Sequence, residues 1–245
     1  MANYLYDRIL LSFVLVVFIF FVGCTKVENI NEASKMLSLD GVKIEWLGQS
    51  GFKITDSDTI YIDPFNAKTD EKADIILITH EHYDHCSIKD IQKLVKQDTT
   101  IVTVADCQSK LSTVVSGIKG VKIVRPGAKL MIGNVSIEAV PAYNINKQFH
   151  QKANEWVGFI VTIKGKRIYH AGDTDLIPEM KNITNIDVAL LPVSGTYVMT
   201  ADEAAKAAEI IKPKIAVPMH YGSIVGSAKD AERFKEVYKG DVRIL

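Results

Sequence analysis

Three features of this chain predict a mixed α/β fold, with two sheets packed face to face and helices on their outer surfaces. Short apolar runs rich in Val, Ile and aromatic residues recur from Val42 to Leu245, separated by turns built on Gly and Asp. Several runs are continuous rather than alternating, as strands buried on both faces should be. Helical patterns with capping signals interrupt the strands after Ser87 and again in the final third, leaving a β-rich middle.

In chain order, Val42 to Trp46, Phe52 to Thr55 and Thr59 to Ile62 read as successive strands, with Gly48, Gly51 and Asp56-Ser57-Asp58 at the turns. Asp74 to Thr79 is an unbroken β-branched run and should be a fully buried strand. Ser87, with Asp90 three residues on, opens a helix whose apolar face would be Ile88, Ile91, Leu94 and Val95. Ile101 to Val104 is strand again, and Cys107 to Ser116 is expected to be a second helix. Strands follow at Val121 to Val124, Leu130 to Ile132, Val135 to Val140, Val157 to Ile163 and Arg167 to His170, turned by Gly127, Gly133 and Gly165. The last third alternates. Val188 to Leu191 is a strand, and Ala201 to Ile211 is a helix capped by Thr200 and Glu203 and stopped at Lys212-Pro213. Ile215 to Pro218 is a buried strand, Ala228 to Tyr238 a helix, and Val242 to Leu245 a closing strand.

Ahead of these elements, Asp7 and Arg8 precede an apolar run from Ile9 to Val22, broken only by Ser12 and followed by Gly23 and Cys24. At about 14 residues this run fits the core of a signal peptide better than a membrane span of about 20. Phe21-Val22-Gly23-Cys24 resembles a prokaryotic lipobox, with Phe21 where leucine is usual; in that motif the cysteine is lipidated and becomes the mature N-terminus. An uncleaved anchor helix is the competing reading. Residues 1–23 are therefore expected to be a signal peptide or membrane anchor, 24–40 a polar tether and 41–245 the folded domain, exported and held at the membrane outside the cytoplasm.

The 245 residues are 47% hydrophobic and 24% charged, with 29 basic against 29 acidic side chains. That length suits one domain with a core that needs no staples. Balanced charge without a Lys/Arg cluster argues against nucleic acid as a partner, because phosphate binding needs a basic surface. Cys86 and Cys107 read as buried free thiols rather than a disulfide.

Chemistry concentrates in Thr79-His80-Glu81-His82-Tyr83-Asp84-His85, directly after a buried strand. Alternate side chains of extended backbone share a face, so His80, His82 and Asp84 can converge while His85 serves a second ion close by. A lone histidine pair would carry little weight; three histidines and an aspartate this close point to a zinc-like ion.

The motif resembles the first signature of the metallo-β-lactamase superfamily, His-x-His-x-Asp-His. Tyr61-Ile62-Asp63-Pro64 before it, and Ala171-Gly172-Asp173-Thr174 and Pro218-Met219-His220-Tyr221-Gly222 after it, are similar to further segments of that family in the same order. The resemblance, from Val42 to Leu245, implies a four-layer αββα sandwich with the site at one edge. It implies two divalent ions, zinc first, with Mn2+ or Fe2+ as alternatives. His80 and His82 would hold one ion, Asp84, His85 and His220 the other, and Asp173 would bridge them. Read without the family, Asp173 could instead cap a turn, and His220 could be a buried strand-end histidine. The family's third histidine on the first ion has no counterpart in Val140 to Asn144. His150 is the nearby candidate, a solvated loop histidine or substrate contact being the alternative, with Asn144 as a substitute oxygen donor. His170 reads as a supporting residue. Trp46-Leu47-Gly48, Pro141-Ala142-Tyr143-Asn144 and Leu191 to Thr196 are similar to the branch containing ascorbate-phosphate lactonase-like and phospholipase-D-like metallohydrolases.

The chemistry so implied is hydrolysis of an ester, lactone, amide or phosphodiester by a hydroxide activated between two ions, with Asp84 as the catalytic residue that orients it and receives its proton. A small-molecule substrate is expected; Ser194-Gly195-Thr196 reads either as a loop that holds an anionic group of it or, equally, as an ordinary strand-exit turn. The alternative is a non-catalytic metal-binding lipoprotein with a degenerate site. A carboxylate would be needed at His82 for a dioxygen-reducing di-iron centre, which argues against that chemistry.

Overall fold

The computed structural model describes residues 35–114 and 117–245; the N-terminal apolar run, Cys24 and the tether as far as Ser34 lie outside the described residues. Two sheets account for most of the chain. The first holds seven strands in chain order: β1 (Met36–Leu39), β2 (Val42–Gly48), β3 (Gly51–Thr55), β4 (Thr59–Ile62), β5 (Ile75–Leu77), β6 (Thr100–Thr103) and β7 (Gly120–Ile123). Neighbours β1 to β4 pair antiparallel, and β4 to β7 pair parallel.

The second sheet runs in reverse order. It consists of β13 (Ile215–Met219), β12 (Val188–Pro192), β11 (Lys166–His170), β10 (Val157–Ile163), β9 (Val135–Pro141) and β8 (Lys129–Ile132). β8 to β11 are antiparallel, and β11 to β13 parallel. The two sheets, with helices outside them, give the four-layer sandwich. Their facing side chains make one continuous core that includes Ile44, Phe52, Ile54, Leu77, Phe159, Val161, Ile168 and Leu190. As continuous apolar runs should be, β5, β6 and β12 are buried at every residue.

Helix α1 (Ile88–Leu94) buries Ile91 and Leu94 of its expected apolar face, while Ile88 and Val95 stay half-exposed. Its Asp90 is buried because its carboxylate accepts hydrogen bonds from Ser87 Oγ and from the backbone N–H groups of Asn66 and Ala67. Helix α2 (Ala201–Ile211) has the capping box read from Thr200 and Glu203, and it ends where Lys212 turns left-handed ahead of Pro213. Together with α3 (Ala228–Val237), it covers β12 and β13.

Three expectations need correction. In place of the α-helix expected over Cys107 to Ser116, Ala105–Cys107 and Lys110–Thr113 form two 3-10 turns; residues 115–116 lie outside the described residues. The segment is rich in Ser, Thr and Val, which are poor α-helix formers. Val242 to Leu245 is not a strand; a single parallel bridge joins Val242 to Ala216, and Arg243 folds back onto Asp241. The end of the expected tether is part of the domain, since Met36–Leu39 pairs with β2 in the register Leu37 to Ile44 and Leu39 to Val42. Its alternating Leu37 and Leu39 pack on the core, which a solvated tether would not do. No described helix is long and apolar enough to cross a membrane.

Function gathers at one edge. Parallel strands deliver their C-terminal ends together: β4 into Asp63, β5 into Thr79 and His80, β11 into Asp173, β12 into Ser194 and β13 into His220. β9 runs in the same sense as β11, because both are antiparallel to β10, and it leads into Asn144 and His150. Two hydrogen bonds lock the sheets at this edge: Val157 N–H donates to Thr79 O at 3.2 Å and His220 N–H to Gln49 O at 2.8 Å.

Candidate metal centre

Around Oδ2 of Asp173 the structure assembles four imidazoles from three loops. His220 Nε2 lies at 3.0 Å, His150 Nε2 at 3.3 Å, His85 Nε2 at 3.4 Å and His80 Nε2 at 4.0 Å. His82 joins through Nδ1, which is 3.0 Å from His80 Nε2, and Asp84 Oδ2 lies 3.4 Å from His85 Nε2. Three overlapping donor groups result: His80, His82 and His150; His80, His85 and Asp173; Asp84, His85 and His220. Within each group the donor atoms lie within 4.8 Å of one another. All seven sequence-predicted residues therefore meet here, His150 included.

Local backbone explains the convergence. Gly172 has φ +64°, and a Cβ there would meet Val157 O at 2.8 Å, so only glycine lets β11 turn Asp173 inward. His220 itself has φ +60° and Asp63 φ +44°, left-handed conformations held by the surrounding loops. His170, buried below, donates from Nε2 to Ser50 O at 2.8 Å and accepts at Nδ1 from Gly172 N–H at 3.2 Å. It braces the Asp173 turn and contributes to none of the three donor groups.

Four of the five imidazoles are oriented by a second partner. His85 Nδ1 donates to Asp63 Oδ2 at 2.7 Å, and Asp63 also accepts from Thr79 N–H and from Thr79 Oγ at 2.6 Å. With its proton so committed, Thr79 Oγ accepts from His80 Nδ1 at 2.9 Å. His150 Nδ1 faces Asn144 Oδ1 at 3.0 Å and Tyr197 O at 3.2 Å, and His220 Nδ1 faces Ser194 Oγ at 3.0 Å. For His80, His85 and His150 the Nδ1 partner is an acceptor, which places the ring proton on Nδ1 and turns Nε2 to the shared volume, the arrangement a metal requires; the Ser194 hydroxyl at His220 can donate or accept. Trp156 forms the floor, with its ring 4.7 Å from that of His80.

Burial and neighbouring charge shift each group in its own direction. Burial strips solvent from His80 and holds its pKa well below the ordinary histidine value, with the His85 charge adding to the effect. Burial likewise lowers His82, reinforced by His150. For His85 burial opposes protonation, yet the charges of Asp173 and Asp63 outweigh it and raise the pKa well above normal. Burial of Asp173 would raise its carboxyl; His220 and His85 instead keep it well below the usual range. The site thus presents a buried anionic carboxylate among imidazoles; His80 and His82 resist protonation, whereas His85 is drawn towards it by the two carboxylates it faces.

Among the described residues, His85 Nε2, His150 Nε2 and Asp173 Oδ1 are buried without a hydrogen-bond partner. Orphaned polar atoms this deep carry a large desolvation cost, and three of them converging on one volume fit divalent cations held by nitrogen and oxygen.

Sequence reasoning missed the supporting groups. Gln49 donates from Nε2 to Asp84 Oδ2 at 3.1 Å while its backbone carbonyl accepts from His220, and nothing in its spacing announces this. Asn144, considered as a substitute donor, instead accepts from His150 through both N–H and Nδ1. One reading of Ser194 has it hold an anionic group of the substrate; its hydroxyl is occupied by His220, and neither it nor Thr196 lines the cavity over the cluster.

Comparison with known proteins agrees. The family model of the beta-lactamase superfamily domain matches residues 43–220. A UPF0173 metal-dependent hydrolase of Thermococcus onnurineus is 36% identical over 219 residues, covering 83% of this chain and 96% of that protein. A crystal structure from Parabacteroides distasonis, described as a metal-dependent hydrolase, superposes with TM-score 0.74 at 41% identity, covering 83% of this chain and 92% of that one. Igni18, a metallo hydrolase from Ignicoccus hospitalis, superposes with TM-score 0.67 at 26% identity, covering 83% of this chain and 94% of its own.

Proposed function

The chain belongs to the beta-lactamase superfamily and is a metal-dependent hydrolase of that fold, and from this premise we propose that it hydrolyses a small acyl or phosphoryl compound at a centre of two divalent ions. The observation that carries this reading is the single carboxylate oxygen of Asp173 facing four imidazole nitrogens while its other oxygen is buried without a partner. His80, His82 and His150 would hold one ion, Asp84, His85 and His220 the other, and Asp173 both. Zinc suits this nitrogen and oxygen set best, with Mn2+ or Fe2+ as alternatives. Such ions supply Lewis acidity to the scissile group and acidify water into a nucleophile near neutral pH.

The chain's own residues do the rest. Asp84 lines the cavity and is kept ionised: burial opposes this, but the hydrogen bond and charge of His85 lower its pKa. Gln49 holds its Oδ2, so the carboxylate is aimed to receive a proton from the attacking water. His150 beside His80 and His82 supplies the donor that the stretch Val140 to Asn144 lacks, which removes the main reason for a purely metal-binding role. We also propose export and tethering through Cys24 or the apolar run before it, supported by the lipobox-like Phe21-Val22-Gly23-Cys24.

The test is metal content by mass spectrometry together with turnover of ester, lactone and phosphodiester substrates before and after chelation. About two ions per chain with chelator-sensitive turnover is expected. Full activity after exhaustive metal removal would overturn the mechanism.

A further inference from the structure

Resting on the hydrolase reading above, we propose that the substrate is an uncharged ester or lactone carrying an aromatic ring or branched apolar group beside its scissile carbonyl. A cavity of about 250 Å³ opens over the histidine cluster, and Tyr83, Phe149, Tyr197 and Ile224 form its apolar wall. Tyr83 is 65% exposed, Phe149 49% and Ile224 38%. Large apolar side chains left this open, and gathered around one opening beside candidate ligands, mark a recognition surface.

The wall is set before anything binds. Phe149 and Tyr197 meet edge to face with ring centroids 4.6 Å apart, and Tyr83 packs likewise on Phe65 at 5.9 Å. A flat or branched group placed between them would bury apolar area on several sides with little reordering. The volume is below the roughly 300–1,000 Å³ common for drug-sized ligands, so one ring with its acyl group fits better than a polymer.

Charge decides against an anionic substituent. Among the described residues no lysine or arginine lines the cavity. The nearby ammonium groups are engaged elsewhere: Lys147 with Asp175 at 2.5 Å and Val198 O at 2.7 Å, Lys110 with Glu81 at 2.9 Å, and Lys152 with Glu179 at 2.8 Å. A carboxylate or phosphate lying against this wall, beyond the reach of the proposed ions, would lose its water with no lysine or arginine to replace it.

The experiment compares three esters with one leaving group on the metal-loaded protein: 4-nitrophenyl benzoate, acetate and hemisuccinate. Burial of a ring against this wall predicts kcat/KM for benzoate about tenfold or more above acetate, with hemisuccinate lowest. Phe149→Ala and Tyr83→Ala should draw the benzoate-to-acetate ratio towards one, and Ile224→Lys should raise hemisuccinate relative to benzoate. Each ratio is taken within one variant, so a loss of folded protein cancels. Equal rates for the three esters, a preference for hemisuccinate, or ratios unmoved by all three substitutions would overturn the proposal while leaving the hydrolase reading intact. Calorimetric binding of benzamide against succinamate separates the other failure. Benzamide binding that Phe149→Ala weakens, with no ester turned over, would sustain apolar recognition and remove hydrolysis. Absent or succinamate-preferring binding would remove the recognition.

Discussion

With Oδ2 of Asp173 facing four imidazoles and Oδ1 buried without a partner, replacing this residue by Ala should disturb both ions together. Asp173→Ala is expected to lose most bound metal and at least about 100-fold in kcat/KM, checked by metal analysis and steady-state kinetics. Near-wild-type metal content would remove it from the centre. A subtler test is Asp63→Asn, which keeps the shape but removes the charge facing His85 Nδ1 and Thr79. Metal affinity should fall about 10- to 100-fold with the fold intact, since His85 loses the group that fixes its tautomer. The ligand types were legible because His80, His82, Asp84 and His85 stand in one short segment after a strand. Their supports were not. The side chains of Gln49, Asn144 and Ser194 reach Asp84, His150 and His220 at sequence separations of 35, 6 and 26, and no local pattern encodes such contacts.

At the scale of elements, the cap of α2 reaches the site through one loop. Thr200 accepts from Glu203 N–H, pairs with Ser194 across an isolated bridge, and Ser194 orients His220. Thr200→Ala should cost about 1 kcal/mol, read as a drop in Tm of about 2–4 °C, and should weaken metal retention through Ser194. A Tm loss with unaltered metal affinity would show that the cap serves the helix alone. Asp187 offers a pH test at the start of β11 and β13, where it accepts from Arg167 N–H and Lys214. Burial would raise its pKa, but these partners lower it below the ordinary carboxylate value of 3.8. Its stabilisation is therefore complete above that value and is lost as pH falls through the lower folded value. The gap in urea stability between wild type and Asp187→Asn should be full at pH 7 and shrink below about pH 4; a constant gap would contradict the assignment. Strands and the capped helices were readable from period and caps. The Cys107 segment was not, because Ser, Thr and Val weaken a helical pattern without marking what replaces it.

For the whole molecule, ions held by donors from both sheets should act as a cross-brace. Chelation is expected to lower Tm together with activity, because only the native arrangement binds metal. Anchoring is tested by fractionation. Cys24→Ala should move the exported protein out of the lipid-modified membrane fraction, and retention unchanged would favour an uncleaved anchor helix. The sandwich itself was inferable from strand count and buried runs, whereas strand order was not, since register depends on pairings far apart in sequence. The bond between His220 N–H and Gln49 O carries a consequence for biogenesis. Because the first donors follow β5 and the last follows β13, the centre closes only when the two sheets dock. The segment from His80 to His85 is local, but His150, Asp173 and His220 join it only through the second sheet, so the complete donor set of the proposed centre would form late, and tight ion capture would follow docking. Ions acquired after docking would come from the compartment where the chain finishes folding, so the supply there, rather than intrinsic affinity alone, would set which metal is carried.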